Sequence, residues 1–304
     1  MNTIRWFQVS LLLLCAIATC QVVALEDQSH KGLLDSVTIE KLTGAKGKLD
    51  ATENVFKVSV PRTDLTITVA GVKMIPAMGF TSWAAFKPAG NQVMVMGDMV
   101  LTEDQVNPVL SIALDNGIEV TALHNHFLWD TPKVMYMHIG GTGDIEKLAT
   151  GVGKIFQEIK QISAVKVSAP HTPLVASKTS LDPKAIETII GAPVEKSGEI
   201  YKVTIGRTTG MAGHEAGKVM GVNTWAAFAG SDKNAVVDGD FAMLESELQG
   251  VLKALRSAGI FITAIHHHMT EETPKIVFLH YWGVGSVNDL AKGIKAALDT
   301  QARK

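Results

Sequence analysis

Six of the ten histidines form two sets of three that share the same internal spacing. The sets are His124, His126 and His138, and His266, His268 and His280. The first two members of each set are two residues apart, so a β-strand would place both imidazoles on one face. Three neutral imidazoles with an open fourth position form a catalytic zinc site, and the zinc lowers the pKa of a bound water. The spacing therefore predicts two divalent metal sites, with zinc as the first choice and copper or another transition metal as the alternative.

The two histidine sets lie in a tandem duplication of the chain. Residues 79–143 align with residues 221–285 without a gap, and 23 of the 65 aligned positions are identical. The full repeats are predicted to span 33–160 (repeat 1) and 181–300 (repeat 2), with a linker at 161–180 that contains two prolines. Units of this length are domains rather than solenoid repeats.

Other roles for the histidines follow from the same residues. They could hydrogen-bond a hairpin loop, bind an anion as cations, or act as general bases without a metal. About two thirds of the neighbouring positions differ between the repeats, whereas all six histidines are kept. This pattern favours a shared role as metal ligands.

Acidic residues at matching positions of the repeats are candidates for further ligands or for proton transfer. Asp98 and Asp240 each follow a glycine that is predicted to end a strand before a helix. They are interpreted as an additional ligand or imidazole partner, or else as a turn or cap residue. Asp130 and Glu272 share one place in the loop before the third histidine, and Glu271 precedes Glu272. An acid beside a metal-bound water can act as a general base, so these three are the predicted catalytic residues, and exposed loop acids are the alternative.

His214 stands where repeat 1 has Val72, so it has no histidine counterpart. If His214 reaches the second histidine set, it adds a metal ligand to repeat 2 alone. The alternative is an ordinary surface loop residue.

The hydrophobic pattern predicts the elements that position these residues. Each repeat is expected to run β-β-α-β-β-α, which gives an α/β (α+β) fold of two tandem two-layer sandwiches with largely antiparallel sheets. Apolar residues recur at helical spacing before Gly117, which is placed as the residue after a helix. The strand that ends at His124 is expected to return through a hairpin centred near Thr131, with His138 opposite His124. The two sets could also meet at one cleft between the repeats as a two-metal site.

The composition narrows the class of protein. The chain is 46% hydrophobic and 19% charged, which excludes a disordered protein. The 28 basic residues are balanced by 30 acidic residues, so no basic excess is left to bind nucleic acid. The expected partner is therefore a small molecule or a metal ligand, and the oligomeric state is left open.

Residues 1–24 have the pattern of an export signal. Arg5 precedes an apolar run, Val9–Ala18, that is shorter than a membrane span, and small residues then precede a cleavage site before Leu25. We therefore expect an exported protein, periplasmic or secreted, without a transmembrane span in the mature chain. Lipid anchoring at Cys20 is a second interpretation.

Repeat 2 contains three distinctive segments, Met220–Phe228, Val237–Ala242 and His268–Gly283. Together these segments resemble the LppY/LpqO family of bacterial exported proteins and lipoproteins. The resemblance covers nearly the whole mature chain and implies a location in the cell envelope. It implies no activity and assigns no catalytic residues.

Three functions fit these observations. The first is a metal-dependent enzyme, in the first place a hydrolase. The second is a non-enzymatic metal carrier or sensor of the envelope. The third is a ligand-binding or scaffold protein in which the histidines are structural.

Overall fold

The computed structural model describes residues 34–164 and 172–301. The predicted leader, with Cys20 and the cleavage site before Leu25, lies outside the described residues, so export stays a prediction. Within the described ranges, no helix combines the length and the hydrophobicity that crossing a lipid bilayer requires.

Repeat 1 begins and ends with a helix. Its elements in chain order are α1 (Ser36–Thr43), β1 (Gly47–Asp50), β2 (Val55–Pro61), β3 (Thr68–Val69), β4 (Val72–Lys73), β5 (Thr81–Ala89), β6 (Gln92–Thr102), α2 (Glu103–Asp115), β7 (Glu119–His124), β8 (Asp130–Thr131), β9 (Val134–Gly143) and α3 (Ile145–Ser163). Polar side chains satisfy the first helical N–H groups: Asp35 caps α1 and Asp144 caps α3. Gly117 follows α2 with a φ of 72°, as the sequence predicts.

Repeat 2 has the same order of elements, except that short strands β12 and β13 stand in place of β3 and β4 and no described strand corresponds to β8. Its elements are α4 (Pro183–Ile190), β10 (Val194–Ser197), β11 (Ile200–Gly206), β12 (Thr209–Met211), β13 (His214–Ala216), β14 (Asn223–Gly230), β15 (Ala235–Leu244), α5 (Leu248–Ser257), β16 (Phe261–His266), β17 (Ile276–Gly285) and α6 (Val287–Asp299). Single turns of 3₁₀ helix follow β4, β13 and β15.

The predicted α/β class with largely antiparallel pairing is confirmed, and the two repeats share one sheet. Twelve strands follow the order β1-β2-β5-β6-β9-β7-β16-β17-β15-β14-β11-β10. Each repeat also has a first helix and two outer strands that the predicted β-β-α-β-β-α order omits. The sequence pattern did not reveal that the sheet continues from one repeat into the other, because a strand edge carries no side-chain signal of its partner.

The repeats join where β7 pairs with β16 in antiparallel orientation, at Leu123 and Ile265. Beyond this pair, side-chain amides replace the strand-to-strand hydrogen bonds. Asn107 accepts a hydrogen bond from the N–H of Ile262 at 2.7 Å and donates one to its C=O at 3.0 Å. Gln249, at the matching position of repeat 2, does the same for Val120 at 3.0 and 2.9 Å. The join thus has an approximate twofold symmetry that leaves these backbone groups satisfied.

All six helices pack on one face of the sheet. Their buried side chains belong to the main apolar core, together with strand residues such as Val95 and Leu123. The opposite face, here called the open face, carries no α-helix among the described residues, and two small loop lobes cover part of it. Lobe 1 (residues 65–80) packs Phe80 on Val134 and Tyr136, and lobe 2 (residues 209–222) packs residues such as Val222 on Ile276 and Phe278.

The glycine before each candidate aspartate lies inside a strand, which corrects the prediction that the strand ends there. A Cβ added at Gly97 would lie 2.6 Å from the backbone oxygen of Trp83. A Cβ at Gly239 would lie 2.2 Å from the ring of Tyr281. These glycines are therefore needed for close packing within the sheet and not for a turn. As a consequence, Asp98 and Asp240 project from the middle of long strands onto the open face.

The hairpin register also differs from the prediction. His138 pairs with Ala122 rather than with His124, which pairs with Tyr136. The N–H of Val134 donates to the Asp130 carboxylate at 2.8 Å and closes the loop around residue 130, one residue earlier than expected. Because the shift along the strand is two residues, the two histidines still share a face and become diagonal neighbours.

Replacing Asn107 by leucine leaves the N–H and C=O of Ile262 buried without their partner. We expect the free energy of unfolding to fall by about 2–4 kcal/mol, because two buried backbone groups lose hydrogen bonds. Urea denaturation measures the change, with Asn91→Leu in the exposed turn between β5 and β6 as control. Equal stability of the two variants would show that the amide contacts do not hold the repeats together.

Candidate metal centre

The candidate residues meet on the open face through strand pairing. In repeat 1, Asp98 of β6 pairs directly with His138 of β9. In repeat 2, Asp240 of β15 pairs in the same way with His280 of β17. The histidines that end β7 and β16 lie diagonally across the next strand boundary. Each repeat thus brings an aspartate and its histidine set to one place.

The closest group of donor atoms is in repeat 2 and consists of Asp240, His266 and His268. Their donor atoms all lie within 4.8 Å of one another. The Nε2 atom of His268 is 3.2 Å from Oδ2 of Asp240 and 3.1 Å from Nε2 of His266. Tetrahedral coordination with bonds of 2.0–2.1 Å separates neighbouring donor atoms by about 3.3 Å. These donors are therefore spaced as they would be around one metal ion.

His280, a predicted ligand, lies at the border of this group. Its Nδ1 is 4.0 Å from Oδ1 of Asp240 and 3.4 Å from the backbone oxygen of Gly239. Its ring centroid is 4.7 Å from that of His266. The compact group of donor atoms thus contains Asp240 and not His280, the third histidine of the set.

Burial sets the charge state of the group in repeat 2. It raises the pKa of Asp240 to about 6, although nearby His280 opposes the shift. Burial also lowers the pKa of His266 to about 4, with further lowering by the neighbouring histidines, and lowers the pKa of His268. Neutral imidazoles have the free lone pair that metal binding needs. Neither Oδ1 of Asp240 nor Nδ1 of His266 finds a hydrogen-bond partner among the described residues, so this buried polar group is incompletely satisfied.

Repeat 1 holds the matching residues in a different arrangement. Here the closest imidazoles are His124 and His138, whose Nε2 atoms are 3.0 Å apart, and Asp98 is 4.0 Å from His138. Burial raises the pKa of Asp98 and lowers the pKa of His126. Oδ1 of Asp98 is buried and, within the part of the chain described, has no hydrogen-bond partner.

An aromatic ring beneath each centre was not foreseen from the sequence. His126 stacks on Tyr136 with ring centroids 3.3 Å apart, and His268 stacks on Phe278 at 3.5 Å. Both aromatic residues stand two positions before the third histidine, so strand alternation puts them on the same face. That spacing is the sequence signal from which an aromatic ring beside the histidines could have been predicted.

Two of the three predicted catalytic acids hold the hairpin loops. Glu272 accepts a hydrogen bond from the N–H of Ile276 at 3.3 Å, as Asp130 does from Val134. Glu272 is buried, whereas Glu271 is exposed with a φ of 68°. His214 lies exposed on β13, paired with Met211. No described hydrogen bond brings these residues to the histidines, so their predicted roles remain predictions.

A lysine stacked on tryptophan flanks each aspartate. Trp83 pairs with Asp98 and carries Lys57 with its Nζ 3.8 Å from the ring centroid. Trp225 pairs with Asp240 and carries Lys202 at 4.4 Å. Each centre thus has a cation on its outer side, and Lys57 opposes the upward shift in the pKa of Asp98.

Clefts at the outer edges of the repeats are lined by arginines that have internal partners. Arg62 forms an ion pair with Asp64 at 2.9 Å, and Arg207 forms one with Glu247. Both guanidinium groups are therefore held by carboxylates of the protein itself.

Replacing Asp240 by asparagine removes a buried carboxylate whose pKa lies above its ordinary value of 3.8. The folded protein binds this proton more tightly than the unfolded chain, so ionisation costs stability above about pH 6 and not below about pH 4. We expect Asp240→Asn to raise the free energy of unfolding by about 1–3 kcal/mol at pH 7.5 in the presence of a chelator.

The difference between Asp240→Asn and the original chain should vanish near pH 4. Glu199→Gln, in the exposed turn between β10 and β11, is the control and should change stability little. Thermal unfolding at both pH values provides the measurement. A loss of stability at pH 7.5 would contradict the assigned cost of burying the carboxylate.

Comparison with known proteins assigns both repeats to one family. The family model "Domain of Unknown Function (DUF1259)" matches residues 37–158 and residues 184–300. The crystal structure of a trimeric bacterial microcompartment shell protein, PduB, is similar at 12% identity over 84% of this chain and 89% of that chain. Its TM-score of 0.17 is too low to support an argument from fold.

No curated protein matches the chain, and the finer resemblance to the LppY/LpqO family stays a prediction. The family match covers the larger part of the sequence and includes both histidine sets. The chain therefore belongs to the DUF1259 family of unknown function and contains its domain twice.

Proposed function

We propose that repeat 2 binds a divalent cation through Asp240, His266 and His268, with a coordination position left open to solvent. The observation that carries this proposal is the spacing of the three donor atoms, with two contacts of 3.1 and 3.2 Å. Three protein ligands and an open position are typical of catalytic metal sites.

The buried polar atoms support the same proposal. A carboxylate oxygen of Asp240 and a ring nitrogen of His266 are buried, and both go without hydrogen bonds to the described residues. A cation near Oδ2 would offset the cost of burying the Asp240 charge. Two imidazoles and one carboxylate suit zinc, and they also suit iron(II) in sites with open positions.

Repeat 1 is proposed to bind a second cation through Asp98 and its histidines. Its donors are the equivalents of those in repeat 2, and two of its imidazole nitrogens are 3.0 Å apart. Among the described residues, His126 has no contact with Asp98 that matches the 3.2 Å contact of His268 with Asp240. We therefore expect weaker binding at repeat 1 than at repeat 2.

Hydrolysis is the reaction that this arrangement favours. A bound divalent cation acts as a Lewis acid and lowers the pKa of a water ligand. Within the protein, Asp240 and the imidazoles would hold the cation, and His280 beside Asp240 would accept or donate a proton at its Nδ1.

A metal carrier or sensor of the envelope is the second candidate. It is favoured by side-chain exposures of 33% for His268 and 45% for His280, which allow metal exchange with solvent.

We expect the purified protein, after incubation with zinc and removal of the excess, to hold two equivalents of metal. The double variant His266→Ala/His268→Ala should hold one, because only repeat 2 loses its donors. Elemental analysis counts the metal. The matched control is His267→Ala, because His267 is exposed and stands between the two ligands in the sequence. Equal metal content in the double variant and the original chain would reject the proposed ligands.

Zinc-loaded protein is expected to hydrolyse at least one carboxylic or phosphate ester in a chromogenic screen. The rate should fall at least tenfold in His266→Ala/His268→Ala and remain unchanged in His267→Ala. If metal is bound but no ester is cleaved faster than by free zinc, the carrier or sensor replaces the hydrolase.

A further inference from the structure

The two centres lie on the same open face, on either side of the strand pair that joins the repeats. The antiparallel register that pairs Leu123 with Ile265 places His124 beside Ala264. The same register places His266 beside Ala122. The centres are therefore neighbours across the approximate twofold axis.

Two alanines form the floor between the centres. Ala122 pairs with His138 of repeat 1 on one side and lies beside His266 of repeat 2 on the other. Ala264 pairs with His280 and lies beside His124 in the same way. Each alanine is thus flanked by histidines from both centres, and both alanines are half-buried.

Strand spacing fixes the scale of this arrangement. The first centre spans β6, β9 and β7, and the second spans β16, β17 and β15. Three strand spacings of about 4.8 Å then separate the middles of the two centres by about 14 Å. In a two-metal cluster the ions are about 3.5–4 Å apart. The two centres are therefore spaced to bind two separate groups of one ligand rather than a single bridging atom.

Shape and charge indicate what such a ligand would be. Lobe 1 packs on the open face over Tyr136, and lobe 2 packs over Phe278. Because the alanine side chains between the lobes are small, the surface there forms a depression. A divalent cation beside one aspartate and neutral imidazoles keeps a net positive charge. Lys57 and Lys202 add a positive charge on the outer side of each centre.

We infer that the two centres together bind one elongated ligand that carries an oxygen anion, such as a carboxylate, at each end. Each anionic end occupies the open position of one cation, and the middle of the ligand crosses Ala122 and Ala264. This inference rests on the proposed metal binding at both centres. The ligand is thus an elongated dianion, and the surface over Ala122 and Ala264 selects its length.

A series of straight-chain dicarboxylates with four to sixteen carbons tests the inference on the zinc-loaded full chain. Calorimetric titration should give the tightest binding at the length that places the carboxylates about 14 Å apart. That ligand should bind at least tenfold more tightly than a monocarboxylate of the same length, because the second contact becomes intramolecular. Affinity that is independent of length, with two zinc ions bound, overturns the inference and leaves the proposed metal sites intact.

Two double variants distinguish the role of the two alanines between the centres from the role of the metal ligands. Ala122→Leu/Ala264→Leu should retain two equivalents of zinc and reduce the best dicarboxylate to the affinity of the monocarboxylate. His124→Ala/His126→Ala should cause the same reduction with one equivalent of zinc retained. Gln92→Leu, an exposed position on the open face of β6, is the control and should leave the dependence on length unchanged.

Zinc content and thermal unfolding of each variant show whether it is folded. An alanine-to-leucine variant that keeps both zinc ions and the full length dependence contradicts the bridging path. A wild-type chain that binds no zinc rejects the proposed function itself, and the inference then falls with it.

Discussion

The pairing of β7 with β16 is the contact on which the rest of this molecule depends. Each repeat ends its half-sheet in a strand edge, and an unpaired edge buried beside helices would leave peptide groups without hydrogen bonds. Only one residue pair at the centre is bridged by the strands themselves, at Leu123 and Ile265. The amides of Asn107 and Gln249 complete the hydrogen bonding on either side. This arrangement makes one sheet from two domains and places both histidine sets on its open face.

Asp98 and Asp240 are unusual because they are nearly buried although they lie on the open face. Strand residues that face the helices, such as Val95 and Met99, are apolar and buried, whereas their neighbour Asp98 faces away from the helices and is nevertheless nearly buried. A lobe, a tryptophan and a histidine surround each aspartate without supplying a full set of hydrogen bonds. The pKa of Asp240 rises to about 6 because this surrounding favours the neutral acid. Perturbed carboxyl groups grouped with neutral imidazoles are more common at functional sites than in structural cores.

The two repeats use one framework to hold two unequal centres. Backbone pairing of aspartate with histidine is the same in both, and in both the Oδ1 of the aspartate is 4.0 Å from the Nδ1 of the paired histidine. The imidazoles differ, since His124 approaches His138 in repeat 1, whereas His266 approaches His268 in repeat 2. The ring beneath is a tyrosine in one repeat and a phenylalanine in the other. Duplication thus preserved the strands that position the donors and allowed the contacts among those donors to change.

The sequence by itself determined the duplication, the mixed α/β class, and the histidine sets on one strand face, because these depend on spacing and on local alternation. It identified Asp98 and Asp240 but placed them at strand ends, since a glycine required by packing against Tyr281 is indistinguishable in sequence from a glycine required by a turn. Only the tertiary structure decided that the half-sheets join and that Asp240 belongs to the compact donor group with His266 and His268. Those outcomes depend on contacts between residues far apart in the chain, whose side chains give no periodic signal of the partner they meet.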